Sequence, residues 1–171
     1  VKDEAGLEKC LSSDIQIVFV LYGDIVGIPE IVERIKEKGK FAMIHVDLIS
    51  GLSGKEIAVD FLHRNTRADG IISTKLPLIR RAKELGMATV FRFFVIDSMA
   101  FDNIKKQYDA ALPDFVEILP GIMPKIITRV TKMVSAPVIA GGLIGEKADI
   151  YAAIEAGAIS ISSTNQNTWF I

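Results

Sequence analysis

The sequence predicts an α/β fold, a TIM-barrel-like parallel (β/α) barrel contracted to about seven strands. Three observations predict it. Short runs rich in Val, Ile and Phe alternate with longer stretches whose apolar residues recur at helical spacing. Runs such as Ile17-Val18-Phe19-Val20-Leu21 are apolar on both faces, as in a sheet covered by helices on each side. An open doubly wound sheet satisfies the same alternation, but no Gly-x-Gly-x-x-Gly follows the first strand and no Gly-Lys-Ser/Thr loop occurs, so closure is the better reading.

The predicted strands are Ile15–Tyr22, Phe41–Asp47, Ala68–Ser73, Ala88–Ile96, Asp114–Leu119, Pro137–Ala140 and Ala158–Ser162. Helical patterns fall at Asp3–Leu11, Pro29–Lys38, Ser53–Arg64, Leu76–Leu85, Ser98–Tyr108, Met123–Val134 and Glu146–Ala156. Pro29 suits a first-turn position, and Gly39, Gly86 and Gly157 each stand just past a helix end, where a left-handed cap is useful. Strand-to-strand spacing of about 19 to 28 residues is tight for βα units, and no linker, repeat or low-complexity tract marks a boundary. The expectation is one domain over 1–171. A full eight-unit barrel takes about 250 residues, so one unit is missing or reduced.

Twenty Lys and Arg against 21 Asp and Glu leave a formal net charge of -1, which excludes indiscriminate binding to nucleic acid and gives no reason to expect a membrane partner. The lone Cys10 forms no internal disulfide and reads as a small buried apolar residue. With no signal peptide and no apolar run long enough to span a bilayer, the expected compartment is the cytoplasm. Two histidines and one cysteine, far apart in the chain, suggest neither a metal centre nor a cofactor site.

In a (β/α) barrel the functional face lies at the C-terminal strand ends. Four charges interrupt apolar runs there: Asp47, Lys75, Arg92 and Glu117. Two readings compete. One is a structural network in which Asp47 compensates Lys75 and Arg92 compensates Glu117; the other, preferred, is the lining of a small polar ligand site. His45 shares a face with Asp47 one layer deeper and reads as a hydrogen-bonded core histidine, while His63 reads as surface. A Schiff-base role for Lys75 is disfavoured, because neighbouring carboxylates favour an ammonium.

The last two strands add a second signal. One ends in Gly141-Gly142 and the other in Ser162-Ser163-Thr164. Small residues leave backbone N–H groups uncovered, and barrels frequently hold phosphate in these loops together with the start of a short helix. Gly141, Gly142, Ser162, Ser163 and Thr164 are therefore the predicted phosphate-binding residues.

From Ile15 onward the chain resembles the glycerol uptake operon antiterminators. The resemblance is carried by His45-Val46-Asp47-Leu48-Ile49-Ser50-Gly51-Leu52, Ala68-Asp69-Gly70-Ile71-Ile72-Ser73-Thr74-Lys75, Arg92-Phe93-Phe94-Val95-Ile96-Asp97-Ser98, Glu117-Ile118-Leu119-Pro120-Gly121-Ile122-Met123-Pro124-Lys125 and Ile139-Ala140-Gly141-Gly142-Leu143-Ile144. It implies a barrel-like fold, glycerol 3-phosphate as effector, and binding of the loaded protein to a glycerol-operon leader mRNA so that transcription passes a terminator. Trp169 resembles the family's terminal Trp, and packing of the C-terminal segment is its preferred role. A homodimer is plausible for a small regulator.

Charge distribution bears on the RNA. Residues 1–33 carry two basic and seven acidic side chains, whereas residues 34–83 carry eleven basic and five acidic. Arg34, Lys36, Lys38, Lys40, Arg64, Arg67, Arg80, Arg81 and Lys83 belong to that basic stretch, and Lys125, Arg129 and Lys132 form a second one free of acids. Each is most simply a solvated helix face. The alternative function is a small phosphosugar enzyme, an isomerase, epimerase or aldolase, using the same polar residues for acid–base chemistry.

Overall fold

The computed structural model describes residues 1–170. They form seven strands alternating with seven α-helices, plus short 3₁₀ turns, and group into two compact units, Val1–Thr89 and the remainder from Val90 onward. The change of unit falls inside a strand, Ala88–Phe94, with no linker.

In the first unit, β1 (Ile17–Val20), β2 (Phe41–His45) and β3 (Gly70–Ser73) pair in parallel, with Val20 opposite Ile44 and His45 opposite Ile72. Helix α1 (Glu4–Leu11) precedes them, and α2 (Ile28–Glu37), α3 (Ile57–Asn65) and α4 (Leu76–Glu84) follow β1, β2 and β3. Helix α2 shows why these segments fold as they do. Ile28, Ile31, Val32 and Ile35 recur at three- and four-residue steps, so one stripe is buried while Glu30, Arg34 and Lys36 stay outside it. Pro29 occupies its first turn, and Gly39 takes φ +68° just past its end. Lys40 is buried, yet its ammonium donates to the Ser13 and Ile15 carbonyls at 2.6 Å each, so the charge is hydrogen-bonded.

In the second unit, β4 (Ala88–Phe94), β5 (Phe115–Leu119), β6 (Val138–Gly141) and β7 (Ser160–Ser162) pair in parallel in chain order. Helices α5 (Ser98–Ala111), α6 (Pro124–Met133) and α7 (Lys147–Glu155) connect them. Arg92 stands opposite Glu117, Glu117 opposite Ile139, and Gly141 opposite Ser162. Cys10, in the first unit, is buried as expected, and burial pushes its thiol pKa up.

Most predicted boundaries differ from the observed ones by one or two residues. Three differences matter more. The second strand stops at His45, because Val46–Leu48 turns as a 3₁₀ segment and carries Asp47 off the ladder. The third main helix starts at Ile57 rather than Ser53, since Gly51 at φ +83° and the segment after it form a loop. A 3₁₀ turn at Gln166–Phe170 was not expected; the Trp169 ring nitrogen anchors it by donating to the Ser163 carbonyl at 2.9 Å.

Candidate functional site

Two polar clusters stand at the C-terminal strand ends, one in each unit. In the first, the 3₁₀ turn presents the Asp47 carboxylate to the residues that end β3. Oδ2 accepts from the Ser73 hydroxyl at 3.0 Å, the Thr74 backbone N–H at 2.8 Å and the Thr74 hydroxyl at 3.3 Å. The Lys75 ammonium lies 3.2 Å from Oδ1, and His45 Nδ1 lies 3.8 Å from Oδ2. Burial works against the charged carboxylate, but the Thr74 N–H, the Ser73 hydroxyl and Lys75 outweigh it and hold Asp47 below its ordinary pKa. Lys75 reaches Asp47 past Gly54, where a Cβ would stand 2.5 Å from Nζ.

The second cluster is drier. Glu117 is fully buried, and Arg92, nearly so, donates from Nε to Oε2 at 2.6 Å. Parallel register sets the two residues side by side, so the ion pair follows directly from strand pairing. The other carboxylate oxygen accepts from the Ser162 hydroxyl. These partners sit on β5 and β7, and the bond passes over β6 at Gly141. A Cβ there would lie 2.4 Å from Glu117 Oε1 and 2.6 Å from Ser162 Oγ. Gly141 was expected to leave room for a phosphate, but in this structure its vacant side-chain position is filled by Glu117 and Ser162.

Gly142 takes φ +74° and Leu143, although not a glycine, φ +61°. The Gly142 carbonyl accepts from Gly121 N–H at 3.0 Å, tying the loop after β6 to the loop after β5. At the start of α7 the Gly145 and Glu146 N–H groups donate to Asp149, so this helix start is already capped by acidic residues. Ser163 and Thr164 follow β7 outside the ladder; the Ser163 hydroxyl donates to the Ile144 carbonyl at 3.3 Å and accepts from Asn165 N–H at 3.1 Å.

Both ion pairs of the structural alternative thus form, Asp47 with Lys75 and Arg92 with Glu117. Sequence reasoning assigned no role in the site to Ser73, Thr74 or Gly54, which fix Asp47 and Lys75. A signal was available: Ser-Thr ending an otherwise apolar strand immediately before Lys75. Among the described residues no group of three or more His, Cys, Asp or Glu is placed to hold a metal ion. No helix among them is long and apolar enough to cross a membrane.

Parallel strands alternating with helices, with polar groups at the strand ends, define a protein built of successive βα units. A family model described as the glycerol-3-phosphate responsive antiterminator matches residues 1–169, and the chain belongs to that family. A crystal structure of the glycerol uptake operon antiterminator regulatory protein from Listeria monocytogenes is 33% identical, with a TM-score of 0.96 over 99% of this chain and 92% of that one. An antiterminator-related protein from Thermotoga maritima is 29% identical, with a TM-score of 0.86 over 100% of this chain and 95% of that one. The uncharacterized protein YgcP of Escherichia coli is 46% identical over 169 residues, 99% of this chain and 88% of that protein. A deoxyribose phosphate aldolase from Aeropyrum pernix, at 14% identity and a TM-score of 0.71, shares the fold alone. Between regulator and enzyme, the family decides for the regulator.

Proposed function

We propose that this protein is a cytoplasmic glycerol-3-phosphate sensor that, when loaded, binds the leader mRNA of a glycerol-metabolism operon and lets transcription pass a terminator. The observation that carries the reading is the family match over residues 1–169. The second cluster supplies the chemistry that an anionic ligand needs. Arg92 uses Nε to hold Glu117, and its two terminal nitrogens bear four further N–H donors of the kind that recognise phosphate. Gly142, Ser163 and Thr164, outside the ladder, are the residues we assign as main-chain N–H donors to the phosphate. Ser162 and Gly141 contribute by fixing Glu117. Asp47 and Lys75 form an ion pair of their own within the first unit.

Calorimetric titration with glycerol 3-phosphate tests the sensor half. Saturable binding without turnover, weakened at least tenfold in Arg92→Leu and more modestly in Thr164→Pro, is the expected result. Equal affinity for glycerol and glycerol 3-phosphate would remove the phosphate assignment. A gel shift with leader RNA, with and without glycerol 3-phosphate over a salt series, tests the other half: ligand-independent affinity would overturn the effector role.

A further inference from the structure

We infer that the exposed face of α6 is the surface through which this protein holds the RNA phosphate backbone, an inference that rests on the RNA-binding reading above. The basic stretch at residues 34–83 is the obvious competitor, and the structure pairs or buries about half of its cations. Arg34 pairs with Glu4 and Glu8, Lys36 with Asp69, Arg67 with Glu33, and Arg81 with Asp60 and Glu84. The acidic beginning of the chain thus folds back to cancel part of the basic stretch that follows it. Lys40 is buried on backbone carbonyls, so it too is withdrawn from the surface.

Helix α6 is different. Ile127 and Val130 face the core, whereas Lys125, Arg129 and Lys132 are all exposed, at four- and three-residue steps along one side. The helix contains no carboxylate, and none of the three cations joins an ion pair among the described residues. The row is about 10 Å long at an α-helical rise. Its middle member is held in place: the Arg129 guanidinium lies 3.9 Å from the centroid of the Phe101 ring on α5. A short, uncompensated and partly rigid row of cations fits a polyanion whose charges repeat along a line, and Phe101 lowers the entropy lost when Arg129 engages one of them.

The test compares Lys125→Gln/Arg129→Gln/Lys132→Gln with Lys2→Gln/Lys38→Gln/Arg64→Gln, an equal loss of charge from exposed positions in the first unit. The probe is a fluorescent RNA carrying a glycerol-operon leader and terminator hairpin, at saturating glycerol 3-phosphate over a salt series. The α6 variant is expected to bind at least tenfold more weakly at about 0.1 M salt, with a log–log salt slope shallower by about 2 to 3. The other variant is expected to stay within about threefold of the unaltered protein. Lys125→Gln/Lys132→Gln, which keeps Arg129 on Phe101, guards against a folding effect and should show about two thirds of the slope change seen in the triple variant. Equal losses in both triple variants, or none in the α6 variant, overturn the inference while leaving RNA binding intact. Retained RNA binding with lost binding to vesicles rich in anionic lipid overturns it in favour of a membrane surface. Absence of RNA binding by the unaltered protein is a different failure, that of the RNA reading itself.

Discussion

Glu117 on β5 and Ser162 on β7 are hydrogen-bonded to each other although β6 runs between them. The contact exists because Gly141 has no side chain at the crossing point.

Gly141→Ala should therefore be costly. The added methyl has to displace a fully buried carboxylate held on its other side by Arg92, and that carboxylate has nowhere solvated to go. The expected loss is about 2–4 kcal/mol, read from the denaturant midpoint. A loss below about 0.5 kcal/mol would show that Glu117 does not need the space.

Gly54→Ala makes the opposite case from similar geometry. The new Cβ would meet Lys75 Nζ at 2.5 Å, but that side chain is flexible and half-exposed, so it swings into water. Stability should change by less than about 1 kcal/mol, the scale of an exposed ion pair. A loss as large as that of Gly141→Ala would contradict the assignment of Lys75 as a mobile partner.

Acid should expose the Asp47 hydrogen bonds. The folded carboxyl titrates below its unfolded value, so its stabilisation is whole above about pH 4 and is lost as pH falls through the folded value. Asp47→Asn should lower stability at neutral pH and flatten the dependence of Tm on pH between about 5 and 3. Parallel Tm curves for the two proteins would refute the linkage.

Leu112 ends α5 at φ 47° and ψ 57° and is exposed, so it bears left-handed strain with little burial in return. Leu112→Gly should stabilise the protein by about 0.5–1 kcal/mol, offset in part by a more flexible unfolded chain. Thermal unfolding checks it, and a lower Tm would refute it.

The strand and helix order was legible because period and punctuation agree: α2 carries its apolar stripe, Pro29 and Gly39 in register. The polar strand ends were legible for the same reason, since Arg92 and Glu117 interrupt runs that are otherwise apolar. What could not be read was reach. Asp47 leaves the strand on a 3₁₀ turn, and only coordinates show it collecting Ser73 and Thr74. Charge pairing could not be read for a related reason, because Arg34 and Arg67 meet Glu4, Glu8 and Glu33 through pairings distant in sequence, which a local count does not register.

The loops after β1 and β2 are joined by a single parallel bridge between Asp24 and Ser50, in which Ile25 N–H donates to the Ser50 carbonyl at 2.8 Å and Ser50 N–H to the Gly23 carbonyl at 2.9 Å. Neither loop can swing without breaking both bonds. Glycines flank the bridge, Gly23 at φ +103° and Gly51 at φ +83°, and a Cβ on Gly51 would stand 2.9 Å from the Ile25 side chain. The amides of Ile25 and Ser50 should exchange with solvent at one common rate, as a single opening event.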